Sequence, residues 1–272
     1  MVERGFVGKD KVVVITGASS GIGKALAEKY KEQGFSVVGI SRTQLDGGYS
    51  ADITNFDEVK KAFDNIKETY GKIDILINNA GYGVSGATEL IDNCEIKREY
   101  DVNIIGQINC YKCAMPLMDK GGKIIFISSA CALFPLPYRS LYCSSKAGTH
   151  MLSLSLSMEC KPLGIEVVSI CPGDTKTNFT KNRVKNFQTN ERYKNRVENA
   201  TLALDSREDK RMGVEKVCSK IYKVSQKKKN KPFIIIGAKY KFLHFMMRFM
   251  PTKVLLFFTE RVFGGHKKKE IK

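Results

Sequence analysis

The sequence predicts an α/β fold: a doubly wound parallel sheet in a single domain, followed by a C-terminal amphipathic helical tail. Three observations predict it. Short β-branched apolar runs alternate with helical segments. A glycine-rich turn directly follows the first run. The chain has 272 residues and no internal repeat, which suits one large core with an appendage.

Lys11–Thr16 reads as a buried strand ending at a glycine turn, because its β-branched run shows no polar alternation. Gly21–Gln33 holds helix formers, with Gly34 as the stop. Ser36–Ile40 is a second strand and Tyr49–Ala51 a short third one. Only Arg42–Gly48 separate these two, whereas a parallel crossover normally takes about a dozen residues; a turn without a full helix is expected there. Asn55–Tyr70 is helical, with Phe56, Val59, Phe63 and Ile66 on one face and Thr54 or Asn55 as cap. Ile73–Ile77 is a strand, Asp92–Met118 a long helix, Lys123–Ser128 a strand and Ser140–Lys161 a second long helix. Ile165–Cys171 is a strand ended by Pro172-Gly173, Gly213–Gln226 is helical, and Phe233–Ile236 is the last strand. Residues 174–212 are polar and basic without an apolar period and read as a lid over one edge of the sheet. The domain therefore runs 1–237 and the tail 238–272.

Composition narrows the class. Hydrophobic residues make up 43% of the chain, which argues against disorder. The first twenty residues hold no leader-like apolar run, and the eight cysteines read as reduced thiols, so a cytoplasmic setting is expected. The net charge of +17 is spread through the chain, with dense runs only at Lys227–Lys229 and Lys267–Lys269. No zinc-finger or RNA-recognition spacing accompanies it, so nucleic acid is not an expected partner. Cys110-Tyr-Lys-Cys113 lies inside a helix, away from the helix start that would acidify a thiol. His150, His244 and His266 show no ligand spacing, and no metal is expected.

Two clusters carry chemistry. Thr16-Gly-Ala-Ser-Ser-Gly-Ile-Gly23 follows a strand and opens a helix. Gly17 permits the turn, Gly21 lets backbone approach a phosphate, and Gly23 allows close helix–strand contact. The helix N-terminus then offers N–H groups to a pyrophosphate. A nucleotide-hydrolase loop is excluded, since Gly23-Lys24 is followed by Ala25 and no hydroxyl is left for magnesium. The second strand ends in Ser41-Arg42-Thr43. An arginine stands where an acid would hold ribose hydroxyls, which suits a 2′-phosphate; NADP(H) is expected over NAD(H). At the other end of the domain Tyr142 precedes Lys146 by four residues, and Ser129 lies thirteen before the tyrosine. One helical turn sets the ammonium beside the phenol and is expected to lower its pKa into a useful acid/base range.

These motifs resemble the short-chain dehydrogenase/reductase family over roughly residues 9–237, closest to its hydroxysteroid- and retinol-type members. The resemblance implies a Rossmann fold and hydride transfer between a nicotinamide and a carbonyl or carbinol carbon. It implies Asn103, Ser129, Tyr142 and Lys146 as the catalytic set. Tyr142 exchanges the proton, Ser129 holds the substrate oxygen, Lys146 tunes the phenol and holds ribose hydroxyls, and Asn103 bends its helix around a water leading to Lys146. It implies dinucleotide contacts from Gly17, Ser19, Ser20, Gly21, Ile22 and Gly23. Ser41, Arg42, Asp52, Ile53, Asn79, Ala80 and Gly81 continue the site, with Tyr142, Lys146, Pro172, Gly173, Thr175 and Thr177 on the nicotinamide side. A homodimer or homotetramer is the family's habit. The short second crossover departs from the commoner pattern and bears on the adenine side.

The apolar stretch after Ser129 suggests a wall of Leu133, Phe134, Leu136 and Tyr138, closed by Phe179, for a steroid, retinoid or lipid-like carbonyl. In the tail, Phe242, Phe245, Met246, Phe249 and Met250 follow a helical period, and a second segment after Pro251 carries Val254, Leu255, Phe257, Phe258 and Val262. Basic positions interrupt it, so it does not cross a membrane. A membrane surface through 240–264, a subunit contact and a cover over the substrate mouth all remain open. The rival function is a catalytically idle dinucleotide-binding scaffold attached to a membrane or nucleic acid; retention of the whole catalytic set argues against it.

Overall fold

The computed structural model describes residues 11–177, 179, 183–205 and 211–265. The Lys267–Lys269 run, the chain's first ten residues and parts of the 174–212 segment lie outside them. The elements are β1 (Val12–Thr16), α1 (Gly21–Glu32), β2 (Ser36–Ser41), β3 (Tyr49–Ser50), α2 (Phe56–Tyr70), β4 (Ile75–Asn78), β5 (Val84–Ser85) and α3 (Asn93–Tyr100). They continue with α4 (Gly106–Ala114), β6 (Lys123–Ile127), α5 (Ser140–Glu159), β7 (Glu166–Pro172), β8 (Val184–Lys185), α6 (Arg196–Asp205) and α7 (Val214–Gln226). The last three are β9 (Phe233–Ile236), α8 (Ala238–Met247) and α9 (Thr252–Phe263).

Seven parallel strands form one sheet in the order β3-β2-β1-β4-β6-β7-β9. Register follows the apolar pattern. Val14, Val38, Leu76, Ile124 and Val167 form one paired row across the sheet. That row faces the core under α2, α4 and α5. Val13 and Ile15, one step away, face the core under α1 and α7. A one-residue slip would exchange the two faces, so this pairing is strongly specified. The chain order reverses between β1 and β4, which opens a crevice at the carboxyl ends of those strands.

The short crossover is as the sequence predicts. Ile40 pairs with Tyr49 and Ser41 with Ser50, and a turn closed by the Gly48 N–H on the Leu45 carbonyl at 3.1 Å replaces a helix. Gly48 passes over β2 so closely that a Cβ there would stand 2.4 Å from the Gly39 carbonyl oxygen. Asn55 caps α2, its side chain accepting from the N–H groups of Asp57 and Glu58.

Three expectations need correction. The helix expected over Asp92–Met118 is broken into α3, a π-turn at Asp101–Ile105, α4 and a 3₁₀ turn at Met115–Leu117. Phe56 lies at the rim, 40% exposed, because it occupies the first turn of α2 and overhangs the sheet; Lys112 covers its ring at 4.9 Å. The 174–212 segment is partly structured: β8 pairs with β5, a Thr175–Met212 bridge closes the segment's base, and α6 is helical.

Candidate active site

The glycine turn is built for close approach. Gly17 and Gly21 take φ of +66° and +55°, a region that side chains other than glycine's rarely enter. A Cβ on Gly23 would meet the Gly17 carbonyl oxygen at 2.2 Å, so that position packs the turn and does not face the cleft. The Thr16 hydroxyl accepts from the N–H groups of Asn79 and Ala80 at 3.0 and 2.9 Å, and the Asn79 amide donates to the Thr16 carbonyl at 2.9 Å. These bonds lock the ends of β1 and β4 together at the crevice. Ser20 caps α1 in an extended conformation without a side-chain bond to the helix. The first-turn N–H groups thus carry no side-chain cap beside a glycine-lined wall, an arrangement that fits a pyrophosphate.

A cleft of about 900 Å³ runs from this turn to α9. It brings together Gly17, Ser19, Ser20, Gly21 and Ile22 with Ser41, Arg42, Asp52 and Ile53 on one side. Asn79, Ala80, Gly81, Pro172, Gly173, Thr175 and Thr177 line its middle, beside Ser129, Tyr142 and Lys146. Arg42 is exposed at the end of β2. Asp52 turns its carboxylate onto the Thr54 N–H and hydroxyl at 2.9 and 2.8 Å.

Asn103 is buried at the centre of the π-turn and does not line the cleft. Its Oδ1 accepts from the Tyr82 N–H at 2.9 Å. Its amide donates to the Tyr82 carbonyl at 2.9 Å, to Glu99 at 2.7 Å and to Ser145 at 3.0 Å. The helix does bend here, but the side chain is committed to holding the loop at Tyr82, between β4 and β5, and α5 in place. Gly81 stands between Asn103 and Lys146: a Cβ there would lie 3.3 Å from the Lys146 Nζ and 3.4 Å from the Asn103 Oδ1.

Glu99 was not foreseen. It stands one helical turn before Asn103, on the same face, and that spacing was the signal available. Both its oxygens are occupied, by the Val84 N–H at 2.7 Å and by Asn103 and Ser145. Burial pushes its carboxyl up to about 7, although those hydrogen bonds and the Lys146 charge pull the other way.

Lys146 donates to the Ile127 carbonyl at 3.0 Å, and the Ser128 hydroxyl donates to the Lys146 carbonyl at 2.8 Å. Burial pulls its ammonium down to about 8, against the charge of Glu99. The expected acidification of Tyr142 is not realised. Burial pushes the phenol above its ordinary range, the charges of Cys131 and Glu99 add to this, and only the Ser129 hydrogen bond and Arg139 oppose it. The reason is physical: Lys146 is itself desolvated and turned to a backbone carbonyl. Ser129 caps a 3₁₀ turn, its Oγ accepting from the Cys131 N–H at 3.1 Å, which leaves the hydroxyl proton for Tyr142 or a substrate oxygen.

The substrate side differs in part from expectation. Phe134 and Phe179 line the cleft, and Phe179 lies 5.7 Å from the Tyr142 ring. Leu133 and Tyr138 do not line it. Leu133 ends the 3₁₀ turn and lies to one side. Tyr138 adopts φ +60°, which swings its ring to a second cavity and edge-on to Tyr193 at 6.2 Å. The tail takes their place: Tyr240, Leu243 and Phe263 complete the wall. Tyr240 donates to the Asp174 carboxylate at 2.8 Å and stacks parallel to Phe134 at 6.4 Å. It lies so close to Gly173 that a Cβ there would meet its ring at 2.0 Å. Phe263 packs with Phe134, Leu136 and Tyr142. The clue in the sequence was position: Tyr240 follows the carboxyl end of β9, where ligands of such sheets bind, and falls off the stripe of Phe242, Phe245 and Phe249.

The Cys110–Cys113 pair is not acidified; burial pushes both thiols up, against a redox role.

Comparison with known proteins agrees with this geometry. The short chain dehydrogenase family model matches residues 11–188. A 3-ketodihydrosphingosine reductase of Bacteroides thetaiotaomicron is 39% identical over 180 residues, covering 64% of this chain and 67% of the relative. A 3beta-hydroxysteroid dehydrogenase of Mediterraneibacter gnavus is 29% identical over 197 residues, covering 66% of this chain and 71% of the relative. The crystal structure of a short-chain dehydrogenase from Streptomyces avermitilis superposes with a TM-score of 0.78 at 26% identity, covering 94% of this chain and 99% of that one. The match covers the glycine turn, β6 and α5 alike, and the chain belongs to the short-chain dehydrogenase/reductase family of nicotinamide-dependent oxidoreductases.

Proposed function

We propose that this protein is an NADP(H)-dependent reductase of a ketone carried on a long apolar, lipid-like molecule. The observation that carries this reading is the Tyr142 phenol. It stands where the glycine-lined part of the cleft meets an apolar end walled by Phe134, Phe179, Tyr240 and Phe263, and it is protonated at neutral pH, as a phenol ordinarily is, with desolvation shifting it further that way. A protonated phenol suits carbonyl reduction, which consumes a proton.

When bound, the dinucleotide supplies hydride at its nicotinamide ring. The chain's own residues do the rest. Tyr142 gives its proton to the carbonyl oxygen, and Ser129 directs a hydroxyl to that oxygen. Lys146, fixed by Ile127, offers N–H groups beside Gly81. Asn103 holds the Tyr82 backbone in place, and Glu99 holds the Val84 N–H. Arg42, exposed at the end of β2 with no acid in that position, supports the 2′-phosphate form of the cofactor. The relatives named for a long-chain ketone and a steroid carbinol support the substrate class, as does the wall of aromatic rings. Met151 and Met158 lie seven residues apart on α5, 62% and 68% exposed, and support a homo-oligomer built on that helix face.

NADPH oxidation followed with 3-ketodihydrosphingosine, steroid ketones and short soluble ketones tests the reading. A long apolar ketone should exceed a short one in kcat/KM by at least about tenfold. Equal rates would overturn the substrate class, and no oxidation with any ketone would overturn the reductase reading.

A further inference from the structure

The tail carries apolar side chains in two directions. Tyr240, Leu243 and Phe263 point into the cleft. On the outer surface of the same two helices and the turn between them, Phe242, Phe245, Phe249, Phe257, Phe258 and Val262 are each more than half exposed, and Phe249 reaches 74%. Nine of the sixteen exposed large hydrophobic residues among the described positions fall between Phe242 and Val262. Their rings meet edge-on, Phe245 with Phe249 at 5.4 Å and Phe257 with Phe258 at 5.7 Å, and stay exposed. Such a concentration marks a docking surface.

The charge around it says for what. Lys239, Lys241, Arg248, Lys253 and Arg261 are interleaved with these side chains, and Glu260 is the lone acid in α8 and α9. A symmetric contact with a second copy would set each cation patch against itself. An anionic lipid surface takes both features at once, with apolar rings among the acyl chains and cations among the headgroups. No helix among the described residues is long and apolar enough to cross a membrane, so the contact is one of lying on the surface.

We propose that α8 and α9 dock the protein on an anionic bilayer surface, so that the cleft mouth opens toward the lipid from which the apolar ketone enters. The substrate part rests on the proposed function; the docking part does not.

Truncating the tail is a poor test, because Tyr240 and Phe263 belong to the cleft. Outward substitutions leave the wall intact. The full chain is floated with phosphatidylcholine vesicles and with vesicles in which part of the lipid is phosphatidylglycerol. Retention on the anionic vesicles should exceed that on the neutral ones by at least about tenfold, and each of Lys241→Glu and Lys253→Glu should lower it about fivefold. Phe245→Ser with Phe249→Ser should lower it by at least about tenfold, with NADPH binding and the turnover of a short soluble ketone unchanged. The same variants should slow reduction of a long-chain ketone presented in the vesicles. Wild type that stays unbound, or binds both lipids alike and is indifferent to these substitutions, overturns the docking. So does a dimer in sedimentation that Phe245→Ser and Phe249→Ser dissociate while flotation is nil. Flotation as expected with no ketone reduced would leave the docking standing and sink the substrate assignment.

Discussion

Tyr142 and Glu99 set the behaviour of the site at the residue scale. Because burial holds the phenol protonated, the reductive rate should carry no loss from Tyr142 ionisation up to about pH 9. The oxidative rate, which needs the phenolate, should rise about tenfold per pH unit over the same range. Matched pH profiles in the two directions check this. Glu99 acts on stability. Its carboxyl is raised in the fold from 4.5 to about 7, so the folded state holds this proton more tightly than the unfolded chain does. Its contribution is fully present below pH 4.5 and is lost as pH rises through 7, by about 3 kcal/mol at roughly 1.4 kcal/mol per pKa unit. Glu99→Gln keeps one accepting oxygen where Glu99 has two, so it gives up either the Val84 N–H or the Asn103 and Ser145 donors and should lose about 1 kcal/mol at pH 5. Relative to wild type it should then recover by a few kcal/mol by pH 8; denaturant titrations at the two pH values measure the difference, and a constant gap would refute the assignment. Arg42→Asp, on the exposed end of β2, should move the NADPH/NADH preference toward NADH by about 10–100-fold in kcat/KM.

Local motifs were legible at the element scale because each is fixed by neighbours in the chain. The glycine turn follows from φ requirements at Gly17 and Gly21, and the Tyr142–Lys146 pair from one turn of helix. The missing helix between β2 and β3 follows from the shortness of Arg42–Gly48. What was not legible depends on long-range packing. The apolar stripe of α8 leaves a membrane surface, a subunit contact and a cleft cover open; the stripe points outward, and the residues that complete the cleft are Tyr240 and Leu243 beside it. The π-turn arises from Asn103 reaching Tyr82 and Ser145, contacts made with distant segments. The spacing of Tyr142 and Lys146 predicts a lowered phenol pKa because it shows their proximity; it does not show the desolvation that acts on both groups and shifts the phenol upward. The Gly173–Tyr240 contact makes the coupling of tail and cleft measurable. Gly173→Ala should displace the ring and raise KM for the apolar ketone, and Tyr240→Ala should do so as well. The double variant should fall well short of the product of the two effects; multiplicative effects would show that the tail does not close the cleft.

The whole molecule is a twisted sheet with two cores that presents its chemistry along one edge, the carboxyl ends of β1, β4, β6, β7 and β9. Its charge of +17 favours anionic partners, a dinucleotide in the crevice and lipid at the tail. The α5 face that exposes Met151 and Met158 is a separate surface. If the proposed homo-oligomer forms on this face, Met151→Lys with Met158→Lys should lower the mass seen in sedimentation while leaving dinucleotide binding intact. The central claim is that one half-buried, protonated phenol hands its proton to a ketone at the meeting point of cofactor groove and apolar wall. Single-turnover reduction of a long-chain ketone by Tyr142→Phe tests it most directly, with NADPH affinity measured on the same sample. The account predicts unchanged affinity and a rate lowered by about 10²–10⁴; unchanged affinity with an undiminished rate would contradict it.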